Sequence, residues 1–200
     1  MHRFALFLLA LFSFFASAAD RQITAPPVAA RAYYVVDLLS DQVIVALNAD
    51  DRYEPASLTK LMTAYLTFSA LKANKLELKQ KVAVSERAWR TQGSKMFVEL
   101  GTQISVENLI RGIIIQSGND ACIVVAESMG GTVEGFVDLM NKRGKELGLA
   151  QSHFVNPDGL PDPPGQLMSA LDLAKLSRHL IRDYPQYYHY FSEKSFVWHN

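Results

Sequence analysis

Between positions 57 and 73 the chain carries a segment whose apolar residues leave no face free. Leu58, Leu61, Met62, Ala64, Tyr65, Leu66, Phe68 and Leu71 occupy every side of the first turns of a helix over this range. Such a helix cannot lie on a domain surface, because one side would hold hydrocarbon in water, so other elements must wrap it. Hydrophobic residues make up 49% of the 200 positions, enough for that wrapping and too many for a disordered chain. Lys and Arg number 20 against 20 Asp and Glu, so no basic excess is available to hold phosphates and no nucleic-acid partner is expected.

Residues 1–18 stand apart. Arg3 gives a small positive start, positions 4–15 are an almost unbroken apolar run, and Ala16-Ser17-Ala18 has the small-x-small pattern that signal peptidase cuts after. A membrane anchor needs roughly 20 apolar residues, more than this run supplies. We therefore expect a signal peptide over 1–18 and an exported domain over 19–200, periplasmic or in the cell envelope at the outer face of the inner membrane. Cys122, the lone cysteine, cannot form an internal disulfide, and its apolar setting predicts a buried small hydrophobe.

Residues 32–38 and 43–47, rich in β-branched and aromatic side chains, predict a β-hairpin. A short strand is expected over 81–84, then a helical turn and loop over 85–102. Val106, Leu109, Ile110, Ile113 and Ile114 repeat at helical spacing, with Glu107 and Arg111 placed as an i,i+4 pair. Ser117-Gly118-Asn119 interrupts the pattern before a second apolar helix over 120–129, closed by Gly130-Gly131. An amphipathic helix follows over 132–147. Four prolines and two glycines make 151–168 an irregular crossing. Ser169 and Asp172 form a capping-box signal for a helix that ends before Pro185, and 195–198 predicts an incoming strand.

Chemistry enters with Ser57-Leu58-Thr59-Lys60. Helix residues three apart share a face, so the Lys60 amine can approach the Ser57 hydroxyl. Serine is a poor nucleophile until a base takes its proton, and burial can lower a lysine pKa by as much as ~3–5 units. A helix N-terminus beside Ser57 would also favour a developing oxyanion. The motif alone says little, since Ser-x-x-Lys arises about once by chance in a chain of this length. A second copy, Ser69 to Lys72, lies late on the same helix and reads as a solvated helix end.

Ser117-Gly118-Asn119 carries more weight. It holds the sole Ser-x-Asn of the sequence and falls between two apolar helices. Polar groups buried there need partners, because leaving one unpaired costs ~1–3 kcal/mol. Either they cap the following helix, or Ser117 and Asn119 face Lys60 and a substrate.

Together the two motifs resemble the S-x-x-K and S-x-N elements of the penicillin-binding and serine β-lactamase superfamily. Longer stretches are similar to the low-molecular-weight D-alanyl-D-alanine carboxypeptidases. They include Asn48-Ala-Asp50, the run from Tyr53 to Tyr65, Phe136-Val-Asp-Leu-Met-Asn141, the run from Phe154 to Leu160 and Ser169-Ala-Leu-Asp172. The resemblance implies a β-lactamase/transpeptidase-like α/β (α+β) fold, a helical subdomain packed with an antiparallel sheet. It implies that Ser57 attacks the carbonyl between two terminal D-alanines of a peptidoglycan stem peptide and that Lys60 accepts its proton. Ser117 would relay a proton to the leaving amine, and Asn119 would hold Lys60 and the substrate amide. β-Lactams would acylate the same serine. No cofactor or metal is implied, and the five histidines show no ligand spacing.

Two departures stand out. Asp158 occupies a place where that family often has His, and no Lys-Thr-Gly or Lys-Ser-Gly occurs anywhere in the 200 residues. In that family this third element binds the substrate carboxylate. A lone two-stranded hairpin is marginal in water, so we expect a chain incomplete at its C-terminus, with only the N-terminal hairpin of the sheet present. Membrane association would then come from a missing C-terminal segment. The expected function is a serine-type D-Ala-D-Ala carboxypeptidase. The alternative is a truncated, inactive remnant of the fold or, among enzymes, a serine β-lactamase, although the class A Glu-x-x-Leu-Asn pattern is lacking.

Overall fold

A computed structural model describes residues 28–198, so the expected leader over 1–18 lies outside the described residues. The all-round apolar segment forms α1 (Lys60–Lys72), and α3 (Val106–Ile114), α4 (Asn119–Gly130), α5 (Val133–Glu146) and α6 (Ala170–Asp183) pack around it. Met62, Tyr65, Phe68 and Leu71 are buried there together with Thr63 and Thr67. Burying those hydroxyls requires acceptors. Thr63 donates to the Pro157 carbonyl at 2.6 Å and Thr67 to the Thr63 carbonyl at 2.7 Å.

The start of this helix differs from the expectation. A 3-10 turn, Ala56–Thr59, precedes α1, so Ser57 sits just ahead of the regular helix. Ala56 is left-handed, with φ +47°, and the tighter turn absorbs that reversal after Pro55.

The other helices follow their sequence signals. Ser105, Thr132 and Ser169 each accept a backbone N–H three residues on, opening α3, α5 and α6 as N-caps. Val106, Leu109, Ile110 and Ile113 bury one face of α3, while Glu107 and Arg111 pair at 2.9 Å on another. The capping box at Ser169 is only half made. The Asp172 carboxylate instead accepts Gln151 N–H at 2.7 Å and the Ser152 hydroxyl at 2.9 Å, tying the irregular crossing to α6.

β1 (Tyr33–Val36) and β2 (Val43–Leu47) form the expected antiparallel hairpin, with Tyr33 opposite Leu47 and an irregularity at Val35/Val36. A second antiparallel ladder, separate from that hairpin, accompanies it. β3 (Lys81–Ala83) pairs with β4 (Gln103–Ser105) and closes the excursion that contains α2 (Glu86–Arg90). β4 escaped the sequence pattern because it is three residues long and runs directly into the cap of α3.

The expected strand at 195–198 forms no ladder among the described residues. After a 3-10 segment, Pro185–Ser192, that places Tyr187 in a stack on Phe68, the chain is anchored by Glu193 on Arg111 at 2.8 Å. Phe196 and Trp198 then pack against the core as side chains.

Candidate active site

Three elements converge on the Ser57 hydroxyl. The 3-10 turn carries Ser57 itself, exposed to solvent; the first residue of α1 is Lys60, 5% exposed; and the bend between α3 and α4 carries Ser117. Lys60 Nζ lies 3.2 Å from Ser57 Oγ, and Ser117 Oγ donates to Ser57 Oγ at 3.0 Å. Ser117 has a φ of +54°, which a non-glycine residue adopts only at a cost of about 1–3 kcal/mol. That reversal breaks the helical run after α3 and turns the hydroxyl toward Ser57. The spacing of Ser57 and Lys60 made their approach legible; the approach of Ser117 depended on the fold.

Asn119 is placed differently from the expectation. It is 4% exposed, and its Nδ2 donates to the Gln92 carbonyl at 2.8 Å while its backbone N–H donates to Ser94 O at 2.7 Å. No hydrogen bond joins it to Lys60 among the described residues. The amine finds the backbone oxygen of Asp158 instead, at 2.6 Å. Gly93, with φ +84°, makes room for the Asn119 carboxamide, because a Cβ there would stand 2.6 Å from Nδ2. The loop is fixed from below by Asp120, whose two carboxylate oxygens accept Met96 N–H at 3.0 Å and Val98 N–H at 3.1 Å.

Asp158 belongs to a tight turn that sequence spacing did not connect with the site. Gly159 N–H donates to Asn156 Oδ1 at 2.7 Å, Asn156 Nδ2 to Leu160 O at 2.7 Å, and Leu160 N–H to Asp158 Oδ1 at 3.0 Å. The turn abuts the 3-10 segment so closely that a Cβ on Gly159 would fall 1.8 Å from the Ala56 carbonyl. Gln166 adds a bond from Nε2 to Thr59 Oγ1 at 2.8 Å. The sequence showed an irregular crossing over 151–168, but nothing in it said which element it would clamp.

Burial lowers the pKa of Lys60, opposed by electrostatic interaction with Cys122 and Asp158. Burial raises that of Asp158, opposed chiefly by its bond from Leu160 N–H and then by Lys60. Cys122 is fully buried, as its neighbours predicted, and burial pushes its thiol far above the usual range. Low exposure and a depressed amine pKa are what a general base near neutrality requires.

A cavity of about 220 Å³ opens beside the three side chains, with Leu58, Leu61, Ile113, Ile114 and Phe191 as its apolar walls. Phe191 went unnoticed in sequence because it lies in an aromatic-rich 3-10 segment far from either motif. A larger groove of about 500 Å³ lies at the other end of α1 and includes Ser69. Its Ser-x-x-Lys partner is spent elsewhere: Lys72 is exposed and donates to the Asp183 carbonyl at 3.0 Å. The smaller cavity is the one that joins hydroxyl, buried amine and second hydroxyl. Among the described residues no group of His, Cys, Asp or Glu could hold a metal ion.

A serine hydroxyl flanked by a buried lysine and a second serine thus lies on a mixed helix and sheet scaffold. Residues 19–200 match the family model described as D-alanyl-D-alanine carboxypeptidase, and the chain belongs to that family. It is 44% identical over 194 residues to D-alanyl-D-alanine carboxypeptidase DacA of Haemophilus influenzae, covering 94% of this chain and 49% of that protein. It is 45% identical over 195 residues to DacC of Escherichia coli, covering 94% and 48%. The crystal structure of penicillin binding protein 5 from Haemophilus influenzae superposes with a TM-score of 0.84 at 44% identity, covering 88% of this chain and 52% of that one. The β-lactamase/transpeptidase-like fold expected from the sequence is therefore the fold observed. The chain spans about half the length of the curated relatives it matches.

Proposed function

We propose that the chain carries the acylation site of a serine-type D-Ala-D-Ala carboxypeptidase acting on peptidoglycan stem peptides and sensitive to β-lactams. The observation that supports it most directly is the buried Lys60 amine 3.2 Å from Ser57 Oγ, in a protein of the D-alanyl-D-alanine carboxypeptidase family. In this reading neutral Lys60 takes the Ser57 proton as Oγ attacks the carbonyl carbon between the two D-alanines. The tetrahedral intermediate collapses, the peptide C–N bond breaks, and Ser117 passes a proton to the departing amine. Water then attacks the ester, and Ser57 recovers its hydroxyl.

Asn119 has its Nδ2 committed to Gln92, so its Oδ1 is the group that would accept a substrate N–H. The apolar walls at Leu58, Leu61, Ile113 and Phe191 suit the alanine methyl groups of such a substrate. Export past the inner membrane belongs to the same proposal and rests on the pattern of residues 1–18. Among the described residues no helix is long and apolar enough to cross a membrane.

Labelled penicillin followed by peptide mass spectrometry tests the proposal. The expected result is one adduct, on Ser57, that disappears in Ser57→Ala. A folded protein that takes up no label points to the inactive remnant instead. Rapid turnover of a chromogenic cephalosporin would favour a β-lactamase.

A further inference from the structure

The groove of about 500 Å³ at the far end of α1 takes no part in the chemistry proposed at Ser57. From Ser57 to Ser69, on the groove's wall, the chain advances roughly 18 Å along turn and helix. Binding sites for small molecules and short peptides fall within ~300–1,000 Å³, so this one is of a size to hold a ligand. Leu66 and Ala70 from α1, Leu76 just after it, Met129 from α4 and Leu139 from α5 give it an apolar lining.

The polar groups around that lining are unequally used. Glu146 is matched by Arg143 at 3.3 Å, and Arg143 also lies over the Tyr65 ring. Lys75, after α1, and Lys142, on α5, are exposed and have no ion-pair partner among the described residues. The hydroxyls of Ser69 and Ser128 line the same groove, and neither is hydrogen-bonded among the described residues. Two unmatched cations call for an anionic ligand, and free hydroxyls call for one with polar groups along its length. An acyl chain has none, whereas a peptide offers an N–H and a carbonyl at each residue. We propose that the groove binds a short peptide ending in a free carboxylate. Lys75 and Lys142 draw the carboxylate, Ser69 and Ser128 bond the peptide backbone, and small apolar side chains rest against Leu66, Met129 and Leu139. In the carboxypeptidase proposed above, that peptide is a second stem peptide of the same polymer, held while its neighbour is cleaved at Ser57. This identification rests on that reading.

The test is an amide NMR titration of nitrogen-labelled Ser57→Ala protein, in which no acyl-enzyme forms, with acetyl-D-alanyl-D-alanine. The expected result is saturable shifts at Ser69, Lys75, Ser128 and Lys142. Adding Lys75→Gln and Lys142→Gln together should weaken that binding about threefold or more. The peptide amide, which lacks the carboxylate, should bind more weakly than the acid. With Ser57 intact, the doubly neutralised protein should take up penicillin at the parental rate, since neither lysine lines the smaller cavity. Silent groove amides, an unchanged dissociation constant without the lysines, or equal binding of the amide overturns the proposal. Binding to phosphatidylglycerol vesicles that needs both lysines, with no response to the peptide, overturns it in favour of a lipid surface. Groove shifts in a protein that takes up no penicillin sustain the peptide site and refute the carboxypeptidase reading. Penicillin uptake with a silent groove does the reverse.

Discussion

Ser117 Oγ stands 3.0 Å from Ser57 Oγ although sixty positions separate them in the chain. The contact exists because the helical run ends in a left-handed residue: Ser117, at φ +54°, carries its hydroxyl toward the nucleophile before α4 begins at Asn119. Strain placed beside a reacting group is tolerated where the surrounding packing holds it, and Gly118 and Asn119 behind it are buried.

Ser117→Ala should therefore leave the fold intact and damage the chemistry. The side chain is only half-buried, and removing its hydroxyl opens no large cavity. In the proposed role of proton relay to the leaving group it should be worth on the order of 10²-fold or more in acylation. The second-order rate of labelled penicillin uptake by parent and variant gives this ratio directly. A ratio near one would remove Ser117 from the mechanism.

The pH dependence follows from Lys60. Burial penalises its ammonium, so its pKa lies below that of an ordinary lysine. The competent base is the neutral amine, and the acylation rate should rise with pH through that lowered value. The acid limb should accordingly be centred below the ordinary lysine value of about 10.4. Stability carries the same sign: between the folded and the unfolded pKa the unfolded chain binds more protons, so stability should also rise with pH across that window. Acylation rates and denaturant midpoints across a buffer series measure both. An acid limb at or above the free-lysine value would contradict the burial of the base.

Gly159→Ala tests the clamp on the nucleophile's turn. Gly159 has φ +84°, and an added Cβ would sit 1.8 Å from the Ala56 carbonyl, a backbone atom that cannot step aside cheaply. The strained backbone alone should cost about 2 kcal/mol or more. The displaced 3-10 turn should slow acylation as well, since Ser57 follows Ala56. Urea unfolding and penicillin uptake on the same preparation separate the two effects. A variant of parental stability would mean that the turn and Ala56 do not meet as described.

What could be read from the sequence divides along physical lines. The burial of α1, the cap at Ser169 and the approach of Lys60 to Ser57 are local, set within a few residues by periodicity and capping chemistry. Distant pairings were not legible. The ladder between Lys81 and Ser105 joins two strands of three residues, too short to alternate visibly. The seat of Asn119 on Gln92 and of Lys60 on Asp158 depends on loops whose course only the packed core determines. The family's motifs identified the groups, whereas the tertiary fold decided which of them touch.

Asp120 shows how such a loop is made to hold. It is 1% exposed, its carboxylate receives Met96 N–H and Val98 N–H, and Met96 and Val98 are themselves buried. Asp120→Ala leaves two buried donors without an acceptor, each costing ~1–3 kcal/mol. The expected loss is about 2 kcal/mol or more, read from the urea midpoint, with faster amide exchange at Met96 and Val98. Asp120→Asn keeps one acceptor oxygen and should fall between parent and alanine. The loop also presents Gln92 O and Ser94 O to Asn119, so Asp120→Ala should weaken the seating of Asn119, two residues after Ser117. Penicillin uptake should then fall more in Asp120→Ala than in a core variant of equal instability, such as Leu109→Ala, which touches no part of that loop's hydrogen bonding. Equal losses in the two would reduce Asp120 to a stability residue.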